Sequence, residues 1–257
     1  MQQHEFFHVE VDAGVALVTI DRPPVNAIDR KLREECIALF GVLGDDARVR
    51  AVVLTGAGKL FSAGADLKDR PDAERPGAYS AHNRSVRECF QSVLECSKPV
   101  IAAINGPAIG AGFVLASCCD ILLAQDDSWI AMPEVEVGLA GGVRHVLRHF
   151  GQSDARLLMY TARRVPAPDL LRMGVLSACL PAGKLIEAAL DIGREIASKS
   201  PMAVKSAKAS FLLAEEMTLH TGYRYEQSQT VVLARGADHQ EARLAFQQKR
   251  KPVFPIK

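Results

Sequence analysis

The sequence predicts an α/β domain with largely parallel strands, followed by a helical C-terminal part. Three observations carry this. Short, unbroken runs of aliphatic and β-branched residues recur through the first half; a glycine-containing loop and a helical stretch follow such runs; and after Gly141 the pattern is helical almost to the end. Strands covered on both faces give continuous apolar runs, and parallel neighbours require right-handed crossovers.

Residues 6–11 and 15–20 flank Asp12-Ala13-Gly14 and read as a β-hairpin with a three-residue turn. Asp29 is placed to cap a helix whose apolar residues Leu32, Cys36, Leu39, Phe40 and Leu43 share one face, with Gly44 as its end. Residues 51–55 read as a buried parallel strand. The unit then recurs as a helical region over 79–96, a strand over 99–104, a short helix over 110–118 and a strand over 121–124. Further helices are expected over 142–150, 154–161, 168–173, 184–200, 203–213, 215–234 and 239–249.

Composition narrows the function classes. The 257 residues are 48% hydrophobic and 24% charged, enough to build a full core. At about 150 residues per domain this fits one large domain with an appended segment. Lys+Arg total 31 against 30 for Asp+Glu, a net charge of +1, so the basic excess of a nucleic-acid binder is missing. The start, Met1-Gln2-Gln3-His4-Glu5-Phe6-Phe7, has neither the basic residues nor the apolar run of a secretory signal, and a cytoplasmic location is expected. The most apolar stretch, 99–119, is broken by Asn105, Gly106 and Pro107 and by glycines 110 and 112, which argues against a membrane span. Six cysteines without a CxxC pair read as buried free thiols rather than as metal ligands or disulfides.

Ligands of parallel sheets bind at the carboxyl ends of the strands. Segments 58–68, 105–114 and 131–138 occupy such positions. Small residues in the first two let backbone N–H groups approach a ligand, each loop offering one donor to a shared oxygen. Gly110-Ala111-Gly112 opens a helix after a strand, but Leu115 takes the place of the third glycine of a dinucleotide fingerprint. Gly56-Ala57-Gly58-Lys59 lacks the Ser/Thr and spacing of a phosphate loop. His145 and His149, beside Arg144 and Arg148, read as a basic helical face rather than a zinc site, with His145 able to point into a pocket. Ser62 has no His and Asp at recognisable spacing for nucleophilic catalysis. Trp129 is expected to pack near the third loop.

The segments RPPVNAID (22–29), KLFSAGADLK (59–68), KPVIAAINGPAIGAGFVLASCCDI (98–121), MPEVEVG (132–138) and AFQQKRKPVF (245–254) together resemble the crotonase, or enoyl-CoA hydratase/isomerase, superfamily, and within it the carnitinyl-CoA dehydratase-like subgroup. Order and spacing hold from near residue 7 to the C-terminus. The resemblance implies a spiral of ββα units over 1–195, with a helical oligomerisation region over 196–257 that builds a trimer or a dimer of trimers. It also implies an acyl-CoA substrate, with coenzyme A entering as part of that substrate and no permanently bound cofactor. By the family pattern, the oxyanion-hole N–H groups come from Ala65 and Ala111. Val25, Lys59, Ala63, Asp66 and Leu67 lie along CoA, and Phe246 and Lys249 reach a neighbour's CoA. Ala111 replaces the glycine of many members, which works if its φ is negative.

A thioester α-proton leaves only if the enolate oxygen is stabilised, and two aimed N–H donors are worth about 3 kcal/mol each. A carboxylate must then move the proton. Glu134, after Pro133 in an apolar setting, stands where the family keeps a catalytic glutamate. The other glutamate of two-glutamate hydratases is replaced by Val114, and the glycine-rich segment 138–142 is shorter than usual. Three readings stay open. Glu134 alone shuttles a proton in double-bond isomerisation; hydration or dehydration proceeds with a second acid from Glu136, Asp69 or Glu74 or through a water held by Glu134; or the scaffold binds acyl-CoA or a protein without turnover. In extended chain Glu136 would share a face with Glu134 at about 7 Å. Acyl specificity is expected to depend on segment 69–80.

Overall fold

The computed structural model describes residues 4–255, so the first three residues of the N-terminal stretch lie outside the described residues. Strands β1 (Phe7–Asp12) and β2 (Val15–Ile20) form the hairpin, but Asp12 pairs with Val15. The turn therefore holds two residues, Ala13 and Gly14, not three. Both have positive φ, 47° and 82°, the geometry that matches strand twist in a two-residue hairpin.

Helix α1 (Arg30–Asp45) begins where expected, the Asp29 side chain accepting from Leu32 N at 2.8 Å. It runs through Gly44 rather than ending there. Next come β3 (Ala51–Gly56), α2 (Ala78–Leu94), β4 (Val100–Ile104), β5 (Ala108–Ile109), α3 (Ala111–Ser117), β6 (Ile121–Gln125) and β7 (Trp129–Ala131). The remainder is α4 (Val143–Val146), α5 (Gln152–Thr161), β8 (Val165–Pro166), α6 (Ala167–Arg172), β9 (Ala178–Leu180), α7 (Leu185–Ala197), α8 (Pro201–Ala214), α9 (Leu219–Leu233) and α10 (Ala237–Gln247). Two further helices differ from expectation. α4 is one turn, because Arg148 and His149 turn inward onto the Ser117 carbonyl, at 2.9 Å each, instead of forming a basic face. α9 starts after Thr218, whose hydroxyl accepts from Thr221 N at 3.3 Å.

The main sheet has the order β1-β2-β3-β4-β6-β9, parallel from β2 onward. A second sheet, β5-β7-β8, stands beside it. Successive residues of β3 serve opposite faces, as strand periodicity requires. Val52 and Leu54 pack with Leu32, Cys36 and Leu39 of α1 and Phe113 of α3, whereas Val53 joins Leu185 and Ala189 of α7. Each such fully buried aliphatic side chain contributes about 2 kcal/mol. Gly193 permits the close approach of α7, since a β-carbon there would stand 2.8 Å from Val15 Cγ1.

Helix α8 is fastened to the core by an ion pair between buried Lys208 and Asp120, an exposed residue. Lys208 Nζ donates to Asp120 Oδ2 at 2.7 Å and to the Lys98 carbonyl at 3.0 Å, and Val100 N donates to the same Asp120 oxygen at 2.7 Å. Five cysteines are buried and Cys179 is partly so. Among the described residues, no helix is long and apolar enough to cross a membrane.

Candidate active site

Two loops run side by side at the carboxyl ends of β3 and β4. Phe61 N donates to the Pro107 carbonyl at 3.1 Å and Ile109 N to the Ser62 carbonyl at 3.0 Å. Asn26 pins the first loop: buried, at a φ of 52°, it donates through Nδ2 to the Ala57 and Leu60 carbonyls, both at 3.0 Å. Asn105 pins the second, its Oδ1 accepting from Gly56 N at 3.0 Å and its Nδ2 donating to the Gly58 carbonyl at 3.1 Å. Ser62 is structural, its hydroxyl donating to the Asn26 carbonyl at 2.7 Å.

This scaffold leaves two backbone donors free. Ile28 N donates to Gly64 O at 2.7 Å and Asp66 N to Ile28 O at 3.0 Å, bracketing Ala65, whose own N–H has no acceptor among the described residues. Ala111 is the first residue of α3, where a helix leaves its N–H groups without intrahelical acceptors. Gly64, at a φ of 90°, brings the loops together: a β-carbon there would stand 2.5 Å from Ile109 O and 3.3 Å from Ala111 N. The condition on Ala111 is met, because the positive φ, 51°, falls on Gly110.

The second sheet delivers the carboxylate. β5 pairs with β7, and Gly110 N donates to Ala131 O at 2.8 Å, so the turn after Ala131 lies against the start of α3. Pro133 opens a single 3-10 turn, Pro133–Val137, that carries Glu134. A β-carbon on Gly110 would stand 2.7 Å from Glu134 Oε1, while Oε2 is buried without a hydrogen-bond partner among the described residues. Burial raises the Glu134 pKa, opposed by its own backbone N–H and by the Arg70 charge. An orphaned carboxylate oxygen beside free N–H donors is costly to hold and fits a group that works on a substrate.

The expectation for Glu136 is corrected. The chain is helical at this point, so residues two apart do not share a face, and Glu136 is exposed. Val114 is buried, with its Cγ2 and Met132 Cε closing on Gly142, where a β-carbon would stand 2.9 and 2.5 Å from them. His145 is partly buried against Phe90, and burial, then the nearby arginines, lowers its pKa. Trp129 lies in β7, just before the third loop, under the Arg164 guanidinium.

The expected CoA contacts divide. Val25, whose carbonyl accepts from Ala63 N at 3.0 Å, lies beside the first loop with Ala63, Asp66 and Leu67. Lys59 and Leu67 are exposed there, and Asp66 is engaged by Arg22 at 2.9 Å. Phe246, in α10, and Lys249, just beyond its end, are exposed. Asn26, which pins the first loop, and Arg70, whose charge acts on Glu134, were not legible as site residues. Only the left-handed tolerance of asparagine hinted at the first.

The family described as enoyl-CoA hydratase/isomerase matches residues 10–257. The chain is 34% identical over 238 residues to a (7aS)-7a-methyl-1,5-dioxo-2,3,5,6,7,7a-hexahydro-1H-indene-carboxyl-CoA hydrolase of Mycobacterium tuberculosis, covering 93% of this chain and 96% of that protein. It is 32% identical over 264 residues to a carnitinyl-CoA dehydratase of Escherichia coli, covering 97% and 98%. Among solved structures, DspI of Pseudomonas aeruginosa superposes with a TM-score of 0.94 at 32% identity, covering 99% and 98% of the two chains. An enoyl-CoA hydratase from Bacillus anthracis gives 0.92 at 31% identity, covering 98% and 100%.

Proposed function

The chain belongs to the enoyl-CoA hydratase/isomerase, or crotonase, family of enzymes acting on acyl-CoA thioesters, and from that premise we propose that it hydrates a 2-enoyl-CoA reversibly through an enolate held by the Ala65 and Ala111 N–H groups. Glu134 is the proposed proton carrier. In hydration it takes a proton from water as the hydroxyl adds to C3, the thioester oxygen gathers enolate charge between the two N–H groups, and Glu134 returns the proton to C2. One water is consumed and the carboxylate is regenerated. Dehydration is the reverse. The observation that carries the reading is the apposition of Glu134 Oε1 to Gly110, next to the free Ala111 N–H.

The burial of Val114 favours a second reading. With an alkyl group where a second carboxylate would stand, one base can instead move a double bond between the 3- and 2-positions by shuttling a proton between C4 and C2. Crotonyl-CoA and a 3-enoyl-CoA, assayed side by side, decide between them. Loss of the crotonyl-CoA absorbance with formation of 3-hydroxyacyl-CoA supports hydration, and conversion of the 3-enoyl substrate alone supports isomerisation. Binding of both esters without turnover would return the site to a non-catalytic acyl-CoA scaffold.

Lys59, exposed beside Val25, Ala63, Asp66 and Leu67, is assigned to CoA, whose phosphates need only local cations in a chain of net charge +1. Residues 196–257 are assigned to oligomer formation as a trimer or a dimer of trimers. Support comes from large apolar side chains left in solvent there, Phe211 at 75%, Leu219 at 91% and Phe246 at 85% exposure. In such an assembly Phe246 and Lys249 reach a neighbour's CoA. A cytoplasmic location accompanies this reading.

A further inference from the structure

The Glu134 site lies at the carboxyl ends of β3 and β4. At their amino ends is a second cavity, of about 230 Å³, bounded by the end of α7 and the start of α8. Its charged lining is unbalanced. Arg50 directly precedes β3, Lys98 lies two residues before β4, and Lys199 and Lys205 flank the start of α8. Against these four cations the lining carries one carboxylate, Asp45 at the end of α1. The adjacent Asp46 is taken by Arg48 at 2.7 Å.

Arg50 is the most telling member. It is only 8% exposed, yet it forms no ion pair among the described residues. Its guanidinium donates to the carbonyls of Ala197, at 3.0 Å, and Phe254. Two carbonyls fix the fork in place without neutralising it, and three of its five N–H donors are left without an acceptor among the described residues. Lys98 and Lys205 likewise form no ion pair there, and Lys199 reaches Glu195 only at 3.5 Å on the exposed surface. Lys98 is partly buried, and burial followed by the Lys205 charge lowers its pKa, so the two ammonium groups repel each other.

The start of α8 adds a neutral donor. Ser200 satisfies Ala203 N through its hydroxyl at 3.1 Å and Val204 N through its carbonyl at 3.0 Å. Pro201 has no N–H, and the N–H of Met202, which lines the cavity, has no acceptor among the described residues. A buried guanidinium, neighbouring ammonium groups and a helix N-terminus are the donors that phosphate oxygens take. A tetrahedral anion can accept from several of them at once, whereas a carboxylate offers two oxygens on one edge. The volume lies below the roughly 300–1,000 Å³ of pockets for drug-sized ligands, which suits a compact anion rather than a whole nucleotide cofactor.

We propose that this cavity, formed by Arg50, Lys98, Lys199, Lys205 and the start of α8, binds a phosphoryl group, carried by a free phosphate or diphosphate or by a small phosphate ester. The site is separate from the acyl-CoA site and does not depend on which reaction that site performs.

Calorimetric titration of the full-length protein with diphosphate at constant ionic strength tests it, with orthophosphate, glycerol 3-phosphate and acetate alongside. The wild type should bind diphosphate saturably and acetate not measurably. Lys98→Gln and Lys205→Gln should each weaken diphosphate binding about tenfold, the size of one lost charge-assisted hydrogen bond. Lys184→Gln, at the far end of α7, should leave it unchanged. Arg50 is kept intact in these variants, because its carbonyl contacts hold the C-terminal segment. The order of diphosphate and glycerol 3-phosphate tells a free anion from an ester, and either order supports the site. Saturating butyryl-CoA should leave diphosphate binding in place. Failure of all three phosphates to bind, equal binding of acetate, a loss in Lys98→Gln no larger than in Lys184→Gln, or displacement by butyryl-CoA overturns the proposal.

Discussion

Gly110 and Glu134 are complementary: the carboxylate Oε1 lies 2.7 Å from the point where a β-carbon on Gly110 would stand, so only glycine leaves the carboxylate its place. The same residue carries the positive φ that frees Ala111 to use an ordinary helical one. Gly110→Ala should therefore displace the carboxylate and strain the turn that aims the Ala111 N–H. Steady-state kinetics should show kcat reduced by about 100-fold or more, the usual consequence of a misplacement near 1 Å, while circular dichroism keeps the native spectrum. Near-normal kcat would mean the apposition is not used in catalysis.

The pH profile follows from the same carboxylate. Glu134 accepts a proton only when ionised, and burial raises its pKa. The acid limb of kcat/KM should thus lie above the ordinary carboxylate range. Arg70 opposes that shift, so Arg70→Met should move the limb to still higher pH. A limb that moves down, or stays in place, would show that the guanidinium does not act on Glu134.

Stability carries the opposite sign. A carboxyl whose pKa is higher folded than unfolded is a burden once ionised. The burden is absent while both states are protonated, grows as pH rises through the unfolded pKa, and is complete above the folded one. Glu134→Gln should accordingly raise Tm at pH 7 and lose that advantage below about pH 4. A lower Tm at pH 7 would contradict an unsatisfied Oε2.

The Lys208–Asp120 pair should matter modestly, because only Lys208 is buried. Lys208→Met leaves the exposed Asp120 carboxylate to water and the Val100 N–H, and should cost about 1 kcal/mol by urea unfolding. Replacing both residues with apolar ones should recover part of the loss. If Lys208→Met is neutral, α8 is held by its apolar contacts alone.

Much of the frame was legible from periodicity. The Asp29 cap, the apolar face of α1 and the unbroken runs of β3 and β4 are local patterns, and each formed within a residue or two of its expected place. The short strands of the second sheet, β5, β7 and β8, were not legible, since a run of two or three residues has no period to detect. They nevertheless position Glu134, through the pairing of Ile109 with Ala131. The extended reading of 134–136 failed for a related reason: a proline start and one 3-10 turn leave little mark beyond Pro133 itself. Glu134 as the proposed proton carrier and the two proposed N–H donors were reached through family resemblance. The link that Arg33 makes between Asp69 of the loop and Ser85 of α2 is a tertiary contact, which a single sequence does not display.

The central claim is that Glu134 moves a proton at C2 of a thioester whose oxygen is held by Ala65 and Ala111. Exchange of the C2 protons of butyryl-CoA in deuterated water, followed by mass spectrometry, measures that step without committing to hydration or isomerisation. The account predicts enzyme-dependent deuterium uptake at C2 that Glu134→Gln slows by about 100-fold or more while butyryl-CoA still binds. Undiminished uptake in Glu134→Gln would contradict it.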